Sequence, residues 1–248
     1  MEPVVKLDDL GNGVAQITMQ DKTSKNTFSG ALIAGIVESF EEIKNNQNFK
    51  VVLLTGYDNY FCCGGTKDEL LDIHRGEIGF NDSPFFRLPM ECEIPVISAM
   101  QGHAIGGGLV FGLYADISIL GRENIYTANF MRYGFTPGMG GTMLIPLKFG
   151  ETLGTEMLYT GVNFRGGELK ERGIQLKVLN KSDVMSEAQR IAGTMAEMPR
   201  VSLVTLKKYL TEPVRKKLDE AILAELEMHK STFHSIEVRD RIESLFGK

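Results

Sequence analysis

Apolar and polar residues change their period along this chain, and the changes mark its elements. Val14-Ala-Gln-Ile-Thr-Met19 alternates with period two, which predicts a half-buried strand, and the polar stretch Gln20-Asp-Lys-Thr-Ser-Lys-Asn26 reads as the loop after it. Leu32, Ile36, Phe40 and Ile43 then recur at helical spacing over Ser29–Lys44, and the apolar run Val51-Val-Leu-Leu54 has the length of a buried strand. A second strand–helix–strand cycle follows. Pro95–Met100 reads as a strand, Gly106–Gly108 as a turn, the residues to about Ala115 as an apolar helix, and Asp116–Leu120 as a strand. Past Glu151 the pattern is helical, over Glu151–Tyr159, Gly167–Arg172, Lys181–Met195, Leu203–Leu210, Val214–Phe233 and Glu237–Phe246, with Pro199 and Pro213 as breaks. No linker or low-complexity tract divides the chain. One α/β domain is expected, with a core over 1–195 and a helical region over 196–248.

Composition narrows the class. Over 248 residues, 43% hydrophobic and 24% charged content is that of a folded globular protein and excludes disordered, collagen-like and coiled-coil chains. A net charge of -5 lacks the overall basic footprint of a nucleic-acid-binding protein. Three cysteines, of which Cys62 and Cys63 are adjacent, form neither a disulfide framework nor a metal-ligand spacing, so a reducing cytoplasmic setting and no metal are expected. The first residues carry no basic leader, and no apolar run approaches the roughly 18 residues of a membrane span.

The candidate chemistry lies in two glycine clusters, Tyr60-Phe-Cys-Cys-Gly-Gly-Thr-Lys67 and Gln101-Gly-His-Ala-Ile-Gly-Gly-Gly-Leu109, each at a strand–helix junction. The first N–H groups of a helix have no intrahelical partner and point outward with the positive end of the helix dipole. Two such turns face to face would make an oxyanion hole. Taken alone, glycines that merely permit tight turns are an equal alternative.

Four spaced segments resemble the crotonase (enoyl-CoA hydratase/isomerase) superfamily: Phe61-Cys-Cys-Gly-Gly-Thr-Lys-Asp-Glu69, Ile94-Pro-Val-Ile-Ser-Ala-Met-Gln-Gly-His-Ala-Ile-Gly-Gly-Gly108, Ala115-Asp116 and Gly134-Phe-Thr-Pro-Gly-Met-Gly-Gly-Thr142. The resemblance spans about Val4 to Phe246. It implies an α/β crotonase (ClpP-like) spiral of ββα turns with a C-terminal helical region, assembled as a homotrimer or dimer of trimers. It also implies an acyl thioester whose carbonyl oxygen sits between the N–H groups of Gly65 and Gly107. No cofactor is implied beyond the phosphopantetheine arm of the substrate's carrier.

Where hydratases of this superfamily carry two glutamates, this chain has Val110 and Phe130. General acid–base hydration needs a titratable group within about 2.6–3.2 Å of the water it handles, so water addition is disfavoured. Loss of CO2 reaches an enolate without a base. Leu54–Phe61, Tyr126–Met139 and Met228–His234 are more closely similar to the decarboxylating enoyl-CoA-hydratase-like enzymes of polyketide β-branching cassettes. The activity so implied is decarboxylation of a 3-methylglutaconyl group on an acyl carrier protein. An enoyl-thioester isomerase and a non-catalytic carrier-binding subunit are the alternatives.

In the subfamily a lysine and a C-terminal histidine complete the site. His229 is the leading proton donor, on one helix face with Phe233, and His234 is the second choice. The lysine position falls on Gly79 in Ile73–Phe80, leaving Lys67, His74 and Arg75 as nearby cations. Val110, Phe130 and Tyr133 are expected around the acyl group, and Lys25 and Asn26 where family members hold the arm. His103 reads as structural, and Cys62 and Cys63 as packing. Lys207, Lys208, Arg215, Lys216 and Lys217 form a basic cluster that is a solvated face or a dock for an acidic carrier protein.

Overall fold

In the computed structural model, which describes residues 2–79 and 84–247, the chain lays strands into two sheets in turn. Met1, Phe80 and Lys248, which fall in segments discussed above, lie outside the described residues. Strand β1 (Val5–Asp9) pairs antiparallel with β2 (Val14–Met19); helix α1 (Gly30–Asn45) crosses, and β3 (Val51–Thr55) returns parallel to β2. The chain then gives β4 (Tyr60–Cys62) and α2 (Lys67–Arg75), a 3-10 turn (Pro84–Arg87) and α3 (Leu88–Glu91). The next turn is β5 (Val96–Met100), β6 (His103–Ile105) and α4 (Gly107–Leu113), followed by β7 (Ile117–Gly121), β8 (Ile125–Thr127) and a 3-10 segment (Asn129–Tyr133). Then come α5 (Gly141–Phe149), α6 (Glu151–Thr160), β9 (Phe164–Arg165), α7 (Gly166–Glu171), β10 (Lys177–Leu179), α8 (Lys181–Ala196), α9 (Arg200–Thr232) and α10 (Ile236–Leu245).

One sheet runs β1-β2-β3-β5-β7-β10, the other β4-β6-β8-β9, and all neighbours are parallel except β1 with β2 and β8 with β9. This is the expected ββα spiral, each turn giving one strand to each sheet. The buried face of α1 is Leu32, Ile36, Phe40 and Ile43, and the Ser29 hydroxyl caps it by accepting from the Leu32 N–H. All five residues of β3 are buried, because the main core covers one face of the large sheet and α8 covers the other with Val184, Ala188 and Ala192.

Two expectations are corrected. Pro213 is no break: α9 continues through it from Arg200 to Thr232. The ring removes the hydrogen bond to the Tyr209 carbonyl, at a turn where Tyr209 is 77% exposed and water can replace the lost donor. Pro199, by contrast, stands at the N-cap of α9.

The basic cluster is also not one face. Lys207 is buried, its Nζ 2.8 Å from Asp116 Oδ2 and donating to the carbonyls of Pro89 and Ile94. Arg215 donates to the Met90 carbonyl. An ammonium enters an interior only when paired, and Asp116 at the start of β7 supplies that charge. Lys208, Lys216 and Lys217 stay exposed.

Candidate active site

Strands β4 and β6 are parallel neighbours in the small sheet, and each runs through a glycine turn into a helix. The register therefore sets the N-termini of α2 and α4 side by side. A Cβ built on Gly64, whose φ is +77°, would lie 2.8 Å from the Ile105 carbonyl and 3.2 Å from Gly107 N. One built on Gly108 would stand 2.2 Å from the Cys62 carbonyl. Only glycine lets the two turns approach this closely. Neither the Gly65 nor the Gly107 N–H has a backbone acceptor among the described residues. Both open on the same cavity, as an oxyanion hole requires.

That cavity holds about 640 Å³. Phe28, Phe85, Phe130, Phe135 and Met139 form its apolar wall, and Phe28 meets Phe85 edge-on at 4.8 Å between centroids. Lys25, Gly79 and Tyr133 also reach it, with the Lys25 ammonium 5.9 Å from the centre of the Tyr60 ring. Asn26 serves the turn itself. Its Nδ2 donates to the Met19 and Phe61 carbonyls, its Oδ1 accepts from the Asp21 N–H, and its backbone carbonyl accepts from Cys63.

Other expected residues lie elsewhere. Val110, one turn along α4 from Gly107, is fully buried off the cavity wall and faces Gly141. Lys67 and Arg75 also lie off it, because α2 turns its charged face outward, where Arg75 pairs with Asp72 and Glu77. His229 and His234 line a second cavity of about 540 Å³, whose wall shares Ile73, Ile78 and Gly79 with the first. The expected face with Phe233 is there, the rings 5.6 Å apart. His229 Nε2 bonds the carbonyls of Thr136 at 2.9 Å and Pro137 at 3.1 Å, and burial holds its imidazole below the usual range. His234 Nδ1 bonds the His74 carbonyl, and His74 Nε2 the Ser235 carbonyl, which ties α2 to the start of α10.

One helical turn before His229, the buried carboxylate of Glu225 accepts from the N–H groups of Gly140 and Thr142 and from the Thr142 hydroxyl. Glu225 and His229 thus hold the segment that carries Phe135 and Met139 to the cavity. Cys62 is buried, with its thiol on the Asn26 carbonyl, whereas Cys63 reaches the cavity with its thiol pushed up by burial to about 11. His103 combines a structural bond with a place on the wall. Its Nδ1 accepts the Ile125 N–H, which leaves any ring proton on Nε2, and burial lowers its pKa.

Two charged wall residues escaped the sequence reading, as did the apolar Phe28, Phe85, Phe135 and Met139. Arg132 sits beside Tyr133 and makes no ion pair among the described residues. Glu69 belongs to Thr66-x-x-Glu69, a capping-box pattern that would have placed its carboxylate at the oxyanion turn.

The spiral and its paired N–H groups define a crotonase-type thioester enzyme. The chain belongs to the enoyl-CoA hydratase/isomerase family, which it matches over residues 9–247. Bacillaene synthase decarboxylase PksI of Bacillus subtilis (strain 168) is 50% identical over 244 residues, covering 98% of each chain. A solved structure of a dehydratase/decarboxylase enzyme couple involved in polyketide β-branching is similar with a TM-score of 0.97 at 50% identity, covering 98% of this chain and 96% of that one. The ECH2 decarboxylase domain of CurF from Lyngbya majuscula gives a TM-score of 0.95 at 46% identity, covering 99% of this chain and 100% of that one.

Proposed function

We propose that this chain is a decarboxylase of polyketide β-branching. Its substrate is a 3-methylglutaconyl thioester on the phosphopantetheine arm of an acyl carrier protein, or on CoA, and its product is the 3-methylcrotonyl thioester. The observation that carries the reading is the pair of N–H groups at Gly65 and Gly107 opening on a cavity with Phe130 in its wall. Identity of 50% to a decarboxylase along the whole chain supports it.

The carbon–carbon bond to the γ-carboxylate breaks, CO2 leaves, and the bonding pair spreads through the alkene to the thioester oxygen as a dienolate. Gly65 and Gly107 receive that charge; removing one such donor costs about 10²–10³ in rate. The apolar wall solvates the carboxylate poorly and the spread-out dienolate less so. A proton then returns to the γ-carbon. His229, which lines the second cavity across the wall shared at Ile73, Ile78 and Gly79, is assigned that proton.

The carrier is acidic in this reading, and the exposed Lys208, Lys216 and Lys217 are its complement. Self-association as a homotrimer or dimer of trimers belongs to the same reading. The exposed Val201, Leu206, Tyr209 and Leu210 of α9 support it, and sedimentation equilibrium tests it.

Intact-protein mass spectrometry of 3-methylglutaconyl-loaded carrier protein tests the activity. Loss of one CO2 with the parent, and much slower loss with His229→Ala, is expected. A Gly79→Lys variant should be at least as fast as the parent. Saturable binding with no mass loss would replace the enzyme by a carrier-binding subunit.

A further inference from the structure

We propose that Tyr114 and Glu225 are positioning residues for the thioester site: together they clamp the peptide between Met139 and Gly140, and through Met139 they set the wall beside the Gly107 N–H where the carbonyl oxygen is seated. The proposal rests on the thioester site proposed above, but not on CO2 loss.

One peptide unit is gripped from both sides. Its carbonyl, that of Met139, accepts from the Tyr114 hydroxyl at 2.7 Å, and its N–H, that of Gly140, donates to Glu225 Oε2 at 2.7 Å. Tyr114 is the C-cap of α4 and Glu225 lies in α9, and both are buried. Glu225 is 1% exposed and pairs with no cation among the described residues; its Oε1 accepts from the Thr142 N–H at 2.8 Å and the Thr142 hydroxyl at 2.6 Å. Burying a carboxylate without a cation is costly, and these donors at the start of α5 offset the cost.

What the clamp holds is unfavourable by itself. Met139 has a φ of +61°, in the left-handed region where a Cβ crowds the backbone. Gly140 follows at +77°, and a Cβ built there would lie 2.6 Å from Leu218 Cδ2 and 2.9 Å from Tyr114 Oη, so this pair is wedged between α4 and α9. A strained residue persists only where its surroundings over-determine it, and such residues gather at functional sites. Here the site is one side chain away. Met139 lines the cavity, and a Cβ built on Gly107 would meet its Sδ at 2.8 Å. Gly107 opens α4 and Tyr114 ends it, so Met139 is tied by its backbone to one end of that helix and lies by its side chain against the other.

A backbone N–H stabilises an oxyanion only when the oxygen is seated close to it and in line. Gly107 has no side chain to define that seat, and the Met139 thioether beside it does so. With the 139–140 peptide released, Met139 leaves the left-handed region, the wall beside Gly107 recedes, and the oxygen is held mainly by Gly65. A misplacement of about 1 Å costs up to about 10²-fold in rate. Tyr114 and Glu225 both lie off the cavity wall and act only through this peptide.

The test uses the full chain with Glu225→Gln, Tyr114→Phe and the double variant. In Glu225→Gln the amide oxygen keeps the Thr142 donors and the amide NH2 is left facing the Gly140 N–H, so the clamp opens. Tyr114→Phe removes the hydroxyl, keeps the ring, and also serves if the glutamine variant fails to fold. The probe is 3-methylcrotonyl-pantetheine carrying 13C at the thioester carbonyl, read by difference infrared spectroscopy. Parent protein should move the carbonyl stretch to lower wavenumber, and each single variant should lose much of that shift while its Kd stays within a few-fold of the parent's. With 3-methylglutaconyl-pantetheine, kcat for CO2 release should fall about 10- to 10²-fold at nearly unchanged KM, as for an interaction realised in the transition state. The double variant should be no slower than the slower single one, because both act on one peptide. Val184→Ala, buried under α8 on the far face of the large sheet, should lower the melting temperature and leave shift and kcat as in the parent. A parent-like shift in the folded single variants overturns the proposal, as does equal loss in Val184→Ala or a parent that moves no carbonyl stretch. A parent that moves the stretch but releases no CO2 retires the decarboxylase reading, and the shift alone then decides on the clamp. CO2 release without any shift retires the clamp and keeps that reading.

Discussion

Gly107 and Gly108 are adjacent, yet a methyl group would do different things at each. At Gly107 it would meet Met139 Sδ at 2.8 Å and Phe28 Cε2 at 3.0 Å, ends of side chains that can swing aside. At Gly108 it would meet the Cys62 carbonyl of the neighbouring strand, which cannot. Gly107→Ala is therefore expected to fold normally and to lose about 10²–10³ in kcat through a displaced N–H. Gly108→Ala should lose about 3 kcal/mol of stability by overpacking. Thermal melts beside steady-state kinetics check both, and equal stability loss in the two variants would refute the distinction. The glycine clusters were legible because helix N-termini and tight turns are local. The burial of Lys207 was not: in sequence it reads as one more charge in a basic run, and its partner Asp116 is reached only through the tertiary fold.

Helix α9 shows both sides of that limit at the next scale. Its period was visible, and so was its proline, but whether Pro213 ends a helix depends on what can take over the freed carbonyl. Polar clamps fix α9, among them Lys207 on Asp116, Arg215 on the Met90 carbonyl, Glu225 on the start of α5 and His229 on the Thr136 and Pro137 carbonyls. Lys207→Ala leaves the Asp116 carboxylate partly buried without its cation. That should cost about 3–5 kcal/mol in urea denaturation, and Asp116→Asn in the same chain should recover part of it. A cost below about 1 kcal/mol would mean that the pair behaves as a surface one. The short strands β4, β6, β8 and β9 were invisible to the pattern for a different reason. At two or three residues no period can register, and these strands exist because the neighbouring turn of the spiral pairs with them.

For the molecule as a whole, buried imidazoles set one part of the pH response. His229 and His103 are both held below the usual value of 6.5, chiefly by burial. The unfolded chain therefore takes up their protons first as pH falls. Their contribution to stability is complete above about pH 7.5 and is lost as pH falls through 6.5 toward the folded values. Glu69 and Glu225, raised by burial, act in the opposite sense, so the comparison belongs with a His229→Gln variant. The parent should lose stability relative to that variant between about pH 7.5 and about pH 5.5 in urea titrations, and parallel curves would refute the assignment. The spiral itself was legible in the spaced motifs. The second cavity was not, because it forms where the end of α2 and the residues after it meet the end of α9, and no local signal encodes that meeting.

Strand order also sets an order in time. In each sheet every newly made strand lies beside the previous one, so a chain leaving the ribosome never has to wedge a strand between two already paired. The open parallel edge that a nascent chain presents is covered by the turn that follows it. Both glycine turns exist once α4 has emerged, and Asp116 is waiting when Lys207 arrives. Translation and assembly can run in the same direction, with α9 and then α10 closing over a finished scaffold.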